Sequence, residues 1–258
     1  MKRHIPNFIT SLNLFCGVLS LASVMHHDYT TASYLIFLAA IFDFLDGFAA
    51  RMLNVRSEIG KELDSLADVI SFGAAPGMIL YSMINQNAPY YFDNPWFVDF
   101  LSYSALVLPV FSALRLAKFN LDVTQAYHFK GLPTPASGLL IAALPFIFQL
   151  HSLLRMPFFG KIIMVLFNPI SMACLGLILS MLMVSSIPLF SLKFKSLAWK
   201  DNIERYIFLI LTIFLVIFLN FLAFPFIILF YILLSLGFKN KILNDEHAPE
   251  EQPKESIE

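Results

Sequence analysis

Charge is what this sequence has least of. Only 14% of its 258 residues are Asp, Glu, Lys or Arg, and 58% are hydrophobic, where a soluble domain runs at about 25% charged and 45–50% apolar. With a mean hydropathy of +0.73, that shortage marks an integral membrane protein. A basic excess is missing too: 17 Lys and Arg stand against 18 Asp and Glu. No nucleic-acid partner is expected, since one would need a basic face or stripe. The two cysteines, Cys16 and Cys174, lie in separate apolar runs with no Cys or His nearby at zinc-ligand spacing, and read as lipid-facing or packed small hydrophobes. No Ser, Cys or His stands with a partner base in the pattern of an activated nucleophile, so no covalent intermediate is expected. A soluble domain is missing as well: the longest polar segment is the acidic tail Asn240–Glu258.

What is abundant is apolar sequence in helix-long runs. A hydrocarbon core of about 30 Å needs roughly 20 helical residues. Runs of that order lie at Phe8–Val24, Ala32–Ala50, Leu66–Met83, Phe97–Leu116, Ser137–Leu154 and Ile162–Val184. The opening MKRHIPNFITSLNLFCGVLSLASV starts as a signal peptide does, but polar residues interrupt it and no small-x-small cleavage site follows, so it reads as a retained first span. A last block, Tyr206–Phe238, is too long for one span, and Asn220 and Pro225 suggest a turn between two short helices. The expectation is an all-α integral membrane protein with eight transmembrane helices.

Lys and Arg collect in cytoplasmic loops. An even number of spans with both ends inside puts Lys2, Arg3, Arg51, Arg56, Lys61, Arg115, Lys118, Lys130, Lys193, Lys195, Lys200, Arg205, Lys239, Lys241 and Lys254 on one side, and Arg155 and Lys161 on the other. The expectation is a multi-pass protein of the cell membrane, with both termini and the segment between the second and third runs, residues 43–69, on the cytoplasmic side.

Against this apolar background, the segment DFLDGFAARMLNVRSEIGKELDSLADV, residues 43–69, concentrates acid. Asp43 and Asp46 are three apart, and Asp64 and Asp68 four apart, so each pair shares a helix face. An ionisable residue at membrane depth costs a few kcal/mol unless paired or solvated, which makes it a functional candidate. Oxygen-only ligands without His or Cys favour hard cations, Mg²⁺ or Mn²⁺ with Ca²⁺ as an alternative, and such a site suits two metals gripping a phosphate. Glu58 and Glu62 read instead as solvated partners of Arg51, Arg56 and Lys61. Gly47 and Gly60 let a ligand or a second backbone approach closely.

The series Asp43-x2-Asp46-Gly47-x2-Ala50-Arg51-x8-Gly60-x3-Asp64-x3-Asp68 resembles, position for position, the signature of the CDP-alcohol phosphotransferases. Its fixed residues would arise by chance on the order of once in ten million chains of this length. The resemblance implies a six-helix catalytic core in the membrane, usually dimeric, that displaces CMP from a CDP-linked lipid or alcohol. It implies two divalent cations on Asp43, Asp46, Asp64 and Asp68, with Asp68 also the general base. It further implies room for cytidine and diphosphate at Gly47, Ala50 and Gly60, with Arg51 near the phosphates.

Three segments resemble the branch of that family that uses CDP-diacylglycerol and L-serine. PNFITSLNLFCG places Asn7, Thr10 and Asn13 on one helix face, which in the resemblance approaches the nucleotide. DSLADVISFGAAP carries Val69, where the glycerophosphate and inositol branches tend to carry lysine. LRLAKFN and FKGLPTPASG bring Arg115, Lys118, Asn120 and Lys130 toward the diphosphate or the acceptor. The family usually has arginine where Lys118 stands, and lysine loses the bidentate geometry. Other acceptors stay open: glycerol 3-phosphate, inositol phosphate or a second phospholipid. A cation transporter would show repeat-like halves, and none is visible. The resemblance ends near Ser186, so the chain divides into a catalytic unit over 1–186, an accessory hairpin over 187–238 and the tail over 239–258.

Overall fold

The structure, a computed structural model, describes residues 4–55, 57–121, 128–154, 157–190 and 202–238. Lys2, Arg3, Arg56, Arg155, Lys193, Lys195, Lys200, Lys239, Lys241, Lys254 and the acidic tail lie outside the described residues. The described chain is an all-α membrane bundle with one small strand pair.

Helices α1 (His4–Met25) and α2 (Tyr29–Met52) are joined by a tight turn. His27 adopts a φ of 59°, and Asp28 accepts the Thr31 N–H at 2.9 Å to cap α2. Ser20, Ala32, Ile36 and Ala39 are buried along the pair, and the Ser20 hydroxyl donates to the Ala32 carbonyl at 2.9 Å. Small residues and such bonds drive helix association where lipid removes the hydrophobic difference between neighbours. Asn54, at a φ of 49°, turns the chain, and Ser57 opens α3 (Glu58–Asp68) by accepting the Gly60 N–H at 3.3 Å.

The third expected span is a column of α3, a π-helical turn over Val69–Ala74, and α4 (Ala75–Asn87). The π turn has a local cause. Pro76 offers no N–H and its ring crowds the preceding carbonyls; the ladder widens, and the Ala75 N–H reaches back to the Ile70 carbonyl. The fourth column is α5 (Pro95–Ser104) followed by α6 (Val107–Leu121), and the fifth is α7 (Thr134–Leu154).

The expected run Ile162–Val184 is not one helix. It divides into α8 (Pro157–Leu166) and α9 (Pro169–Val184), because Asn168 caps α9 by accepting the Ile170 N–H at 2.9 Å and Pro169 is suited to a first helical position. The last apolar block is long enough to count as a single span over Arg205–Gly237. It nevertheless folds back as α10 (Ile203–Leu219) and α11 (Ala223–Gly237). Asn220 has a φ of 49°, and the rings of Phe208 and Tyr231 lie 5.5 Å apart, where a straight helix would separate them by about 34 Å. The turn falls at Asn220, as expected, while Pro225 sits inside α11.

A three-residue pairing was not legible in sequence. Strand β1 (His128–Lys130) runs antiparallel to β2 (Pro188–Phe190), with Phe129 opposite Leu189. Gly131, at a φ of 76°, follows it, and the N–H groups of Gly131 and Leu132 donate to the carbonyls of Ile187 and Leu182 at 3.0 and 2.9 Å. The GLPTP segment is thus fixed against the end of α9.

The π turn is closely packed by three helices. A Cβ on Gly17 of α1 would lie 2.9 Å from Ser71 Cα, one on Gly73 would lie 2.9 Å from Ser112 Cβ of α6, and one on Gly138 of α7 would lie 2.9 Å from Phe72 Cα. Overpacking of this kind costs about 1–3 kcal/mol. We therefore expect Gly138→Ala to lower the thermal midpoint in detergent. Gly237→Ala, where a Cβ would meet nothing within 4 Å, should leave it unchanged; equal behaviour of the two would show that the close packing is not a stability determinant.

Candidate active site

The start of α1, the end of α2 and the start of α3 meet at one end of the bundle, and each carries part of the acidic motif. Asp43 and Asp46 share a face of α2, and Asp64 and Asp68 share a face of α3. Carboxylate oxygens of Asp43, Asp64 and Asp68 all lie within 4.8 Å of one another. Asp46 stands apart from that triad. It is 7% exposed and accepts a hydrogen bond from the Thr10 hydroxyl at 2.6 Å. Asp68 is equally buried, and the Asn13 amide reaches it at 3.5 Å. A carboxylate only accepts, so the amide nitrogen of Asn13 faces Asp68, and the buried Asn13 Oδ1 is left without a partner. The α1 backbone at Asn13 is itself fixed, its carbonyl accepting from the Ser71 hydroxyl at 3.0 Å.

Among the described residues, no Lys or Arg forms an ion pair with these carboxylates. Three convergent oxygen donors at partly dry depth, none of them in an ion pair with a Lys or Arg among the described residues, suit a hard divalent ion. Asp43, Asp64 and Asp68 therefore fit a metal, with Asp46 one helical turn away.

A cavity of about 620 Å³ opens beside the triad. Pro6, Asn7 and Thr10 of α1 form one wall, and Asp46, Gly47 and Ala50 of α2 another. Val55, Ser57, Glu58, Gly60, Lys61 and Asp64 close it from the α3 side. Asp64 belongs to both the triad and the cavity wall, so the space reaches the carboxylates. The two glycines serve it differently. A Cβ on Gly47 would meet no protein atom within 4 Å, whereas one on Gly60 would lie 2.8 Å from Asn7 Oδ1. Gly47 leaves space, and Gly60 lets α1 come close.

Other residues singled out from sequence sit around this space. Asn13 is absent from the cavity wall and lies at Asp68 instead. Arg51 is exposed, its Nε donating to the Gly47 carbonyl at 3.0 Å. Arg115 is 8% exposed; one terminal nitrogen donates to the Thr134 hydroxyl at 2.9 Å, its guanidinium lies over the Phe119 ring at 5.8 Å, and its Nε has no partner. Lys118 is exposed. Asn120 does not reach the cavity wall: its amide donates to the Ser65 hydroxyl at 2.8 Å and so ties α6 to α3. The Lys130 backbone lies in β1, and its side chain is outside the described residues.

Two lining residues were read from sequence as solvated charge. Glu58 and Lys61 both face the cavity, and Glu58 and Glu62 form no ion pair with Arg51 or Lys61 among the described residues. For Lys61 a signal was present: it lies three residues before Asp64, hence on the same helix face.

The family model for CDP-alcohol phosphatidyltransferases matches residues 3–175. A Bacillus subtilis CDP-diacylglycerol–serine O-phosphatidyltransferase is 38% identical over 146 residues, covering 57% of this chain and 77% of that protein. Proteins of the same name from Helicobacter pylori and Saccharomyces cerevisiae are 37% and 36% identical over 138 and 159 residues. The chain matches 54% of the length of each of those two, using 53% and 55% of its own. With a family match over more than half its length, and with the family's acidic signature gathered around one cavity, the chain belongs to the CDP-alcohol phosphatidyltransferases.

Proposed function

We propose that this protein transfers the phosphatidyl group of CDP-diacylglycerol to L-serine, releasing CMP. The observation that carries the reading is Asp64, which joins the three-carboxylate cluster to a cavity large enough for a nucleotide headgroup. Serine as acceptor is supported by the names of the relatives. In this reading the CDP-lipid enters sideways from the bilayer with its acyl chains still in lipid, and the headgroup occupies the cavity.

Asp43, Asp64 and Asp68, with Asp46 beside them, would hold two divalent cations, Mg²⁺ or Mn²⁺. When bound, these would polarise the diphosphate and offset charge that develops on the transferred phosphoryl group. The chain's own residues do the rest. Gly47 and Ala50 leave room for the nucleotide, and Asn7, Thr10 and Gly60 form the facing wall. Arg51 lies near enough to the mouth to exchange the Gly47 carbonyl for a phosphate. Asp68 takes the proton of the serine hydroxyl as that oxygen attacks the lipid-bearing phosphorus. The bond to the bridging oxygen breaks, and CMP departs with it. Asn13 orients Asp68, and its free Oδ1 suits the serine ammonium. The unpartnered Arg115 Nε suits the serine carboxylate, with Thr134 holding the rest of the guanidinium, and Lys118, Asn120 and Lys130 are further ligands proposed for the phosphate or the acceptor. The proposal includes the cytoplasmic orientation of site and termini, a homodimer, and the division into catalytic unit, hairpin and tail.

CMP release from CDP-diacylglycerol by purified protein tests this directly. Serine should stimulate it in the presence of Mg²⁺ or Mn²⁺, glycerol 3-phosphate and inositol phosphate should not, and chelation should stop it. Asp68→Asn should reduce turnover by about 10²–10⁴-fold, the usual range for a lost general base. Stimulation by a different alcohol would overturn the acceptor.

Gly47→Ala separates stability from binding. Removing a helix-interior glycine should stabilise the fold by about 0.5–1 kcal/mol, while the added methyl enters the cavity and raises the KM for CDP-diacylglycerol. A stabilised variant with unchanged KM would place the nucleotide elsewhere.

A further inference from the structure

The acidic triad and the cavity leave one cation without a catalytic explanation. Lys61 is exposed to the cavity it lines, and its ammonium donates to the backbone carbonyl of Asn120 at 3.2 Å. Asn120 is the penultimate residue of α6, so its carbonyl is among those a helix end leaves without an internal partner. The contact closes a small ring. The Asn120 amide donates to the Ser65 hydroxyl at 2.8 Å, and that hydroxyl donates to the Lys61 carbonyl at 3.3 Å. Lys61 therefore rests on a neutral acceptor while Asp64 and Glu58 line the same space.

We propose that Lys61 is a phosphate ligand of the nucleotide, exchanging the Asn120 carbonyl for a phosphate oxygen when the cavity fills. The inference rests on the reading of the cavity as a CDP site and adds a residue outside the acidic signature. The chemistry favours the exchange. A carbonyl at a helix end carries a partial negative charge, whereas a phosphate oxygen carries a formal one and makes a hydrogen bond about twice as strong. Lysine suits the task because its ammonium is a point charge on a flexible stem, able to change partners without a fixed approach direction. Two lining features agree: Lys61 is one turn from Asp64, and Gly47 faces open space. The Asn120 carbonyl released by the exchange can be solvated at the membrane surface, and the Asn120–Ser65 bond still ties α6 to α3.

The test is the binding of cytidine, CMP and CDP to the detergent-purified full chain in Mg²⁺, measured by calorimetry for wild type, Lys61→Met and Lys61→Arg. Met keeps the aliphatic stem and removes the charge. Loss of one charge-assisted hydrogen bond should weaken CMP and CDP by about 10–100-fold and leave cytidine within about threefold, with Lys61→Arg restoring most of the difference. Equal binding of CMP and CDP by wild type and Lys61→Met would overturn the proposal. So would an equal loss for cytidine, which marks a structural defect; the thermal midpoint of Lys61→Met and the Lys61→Arg rescue identify that case. If wild type binds none of the three, the CDP reading itself fails and the inference with it. Wild-type binding that is indifferent to Lys61 removes the inference alone.

Discussion

The arrangement of the site depends on how closely three helices approach the π turn that follows Asp68. Gly17, Gly73 and Gly138 each stand where a methyl group would overlap a neighbouring backbone or side-chain carbon. The widened turn shifts the facing of every residue after Asp68 by part of a helical step. Because α1, α6 and α7 all bear on Ser71, Phe72 and Gly73, the turn cannot relax without moving them. Two of those helices carry site residues on the same contact: α1 holds Asn13, whose carbonyl is bound by Ser71, and α6 holds Arg115, one turn beyond Ser112. The geometry around Asp68 is thus set by packing in the bundle interior, not by loops at its surface.

The hairpin α10–α11 is also part of this framework. Phe221 stacks on Phe146 of α7 with centroids 3.9 Å apart, and Phe224 lies 4.8 Å from Phe37 of α2. Aromatic pairs of this kind contribute about 0.5–1.5 kcal/mol each beyond the area they bury. Further along α11, Tyr231 is 6% exposed and belongs to the main apolar core. The family match ends at residue 175, yet the segment beyond it packs on α2 and α7, two helices that frame the catalytic end. An insertion or deletion in this hairpin would be felt in the bundle even though it carries no residue of the acidic motif.

Much of this was legible in sequence because the signals were periodic or sharply spaced. Apolar run length marked the helical columns, Asn220 marked the reversal in the last block, and the three- and four-residue spacing of the aspartates placed them on facing helix surfaces. The failures have physical causes. Asn168 and Pro169 split an apolar run that hydropathy alone reads as continuous, since hydropathy is blind to capping. A three-residue ribbon is too short to show alternation. The Thr10–Asp46 hydrogen bond spans 36 positions, and no local pattern reports it. Lys61 and Glu58 were read as solvated charge because a pocket wall and a solvated helix face have the same composition.

The remaining constraint is electrostatic. Four carboxylates and one buried guanidinium share this end of the bundle, where the effective dielectric is well below that of water. In the proposed reading the CDP-lipid adds a diphosphate to a region already short of positive charge. In that reading divalent cations would supply the difference, and their binding and that of the diphosphate would reinforce one another, since each lowers the electrostatic cost of the other. The same electrostatics accounts for the position of Arg51 and Lys61 away from the triad. Arg51 and Lys61 rest on helix-end or backbone carbonyls, near the space but not on the aspartates. An arginine or lysine seated in the triad would cancel the field that draws a metal. Under the proposed function, keeping Arg51 and Lys61 off the aspartates would preserve that field for a metal and leave both side chains free to meet the phosphate.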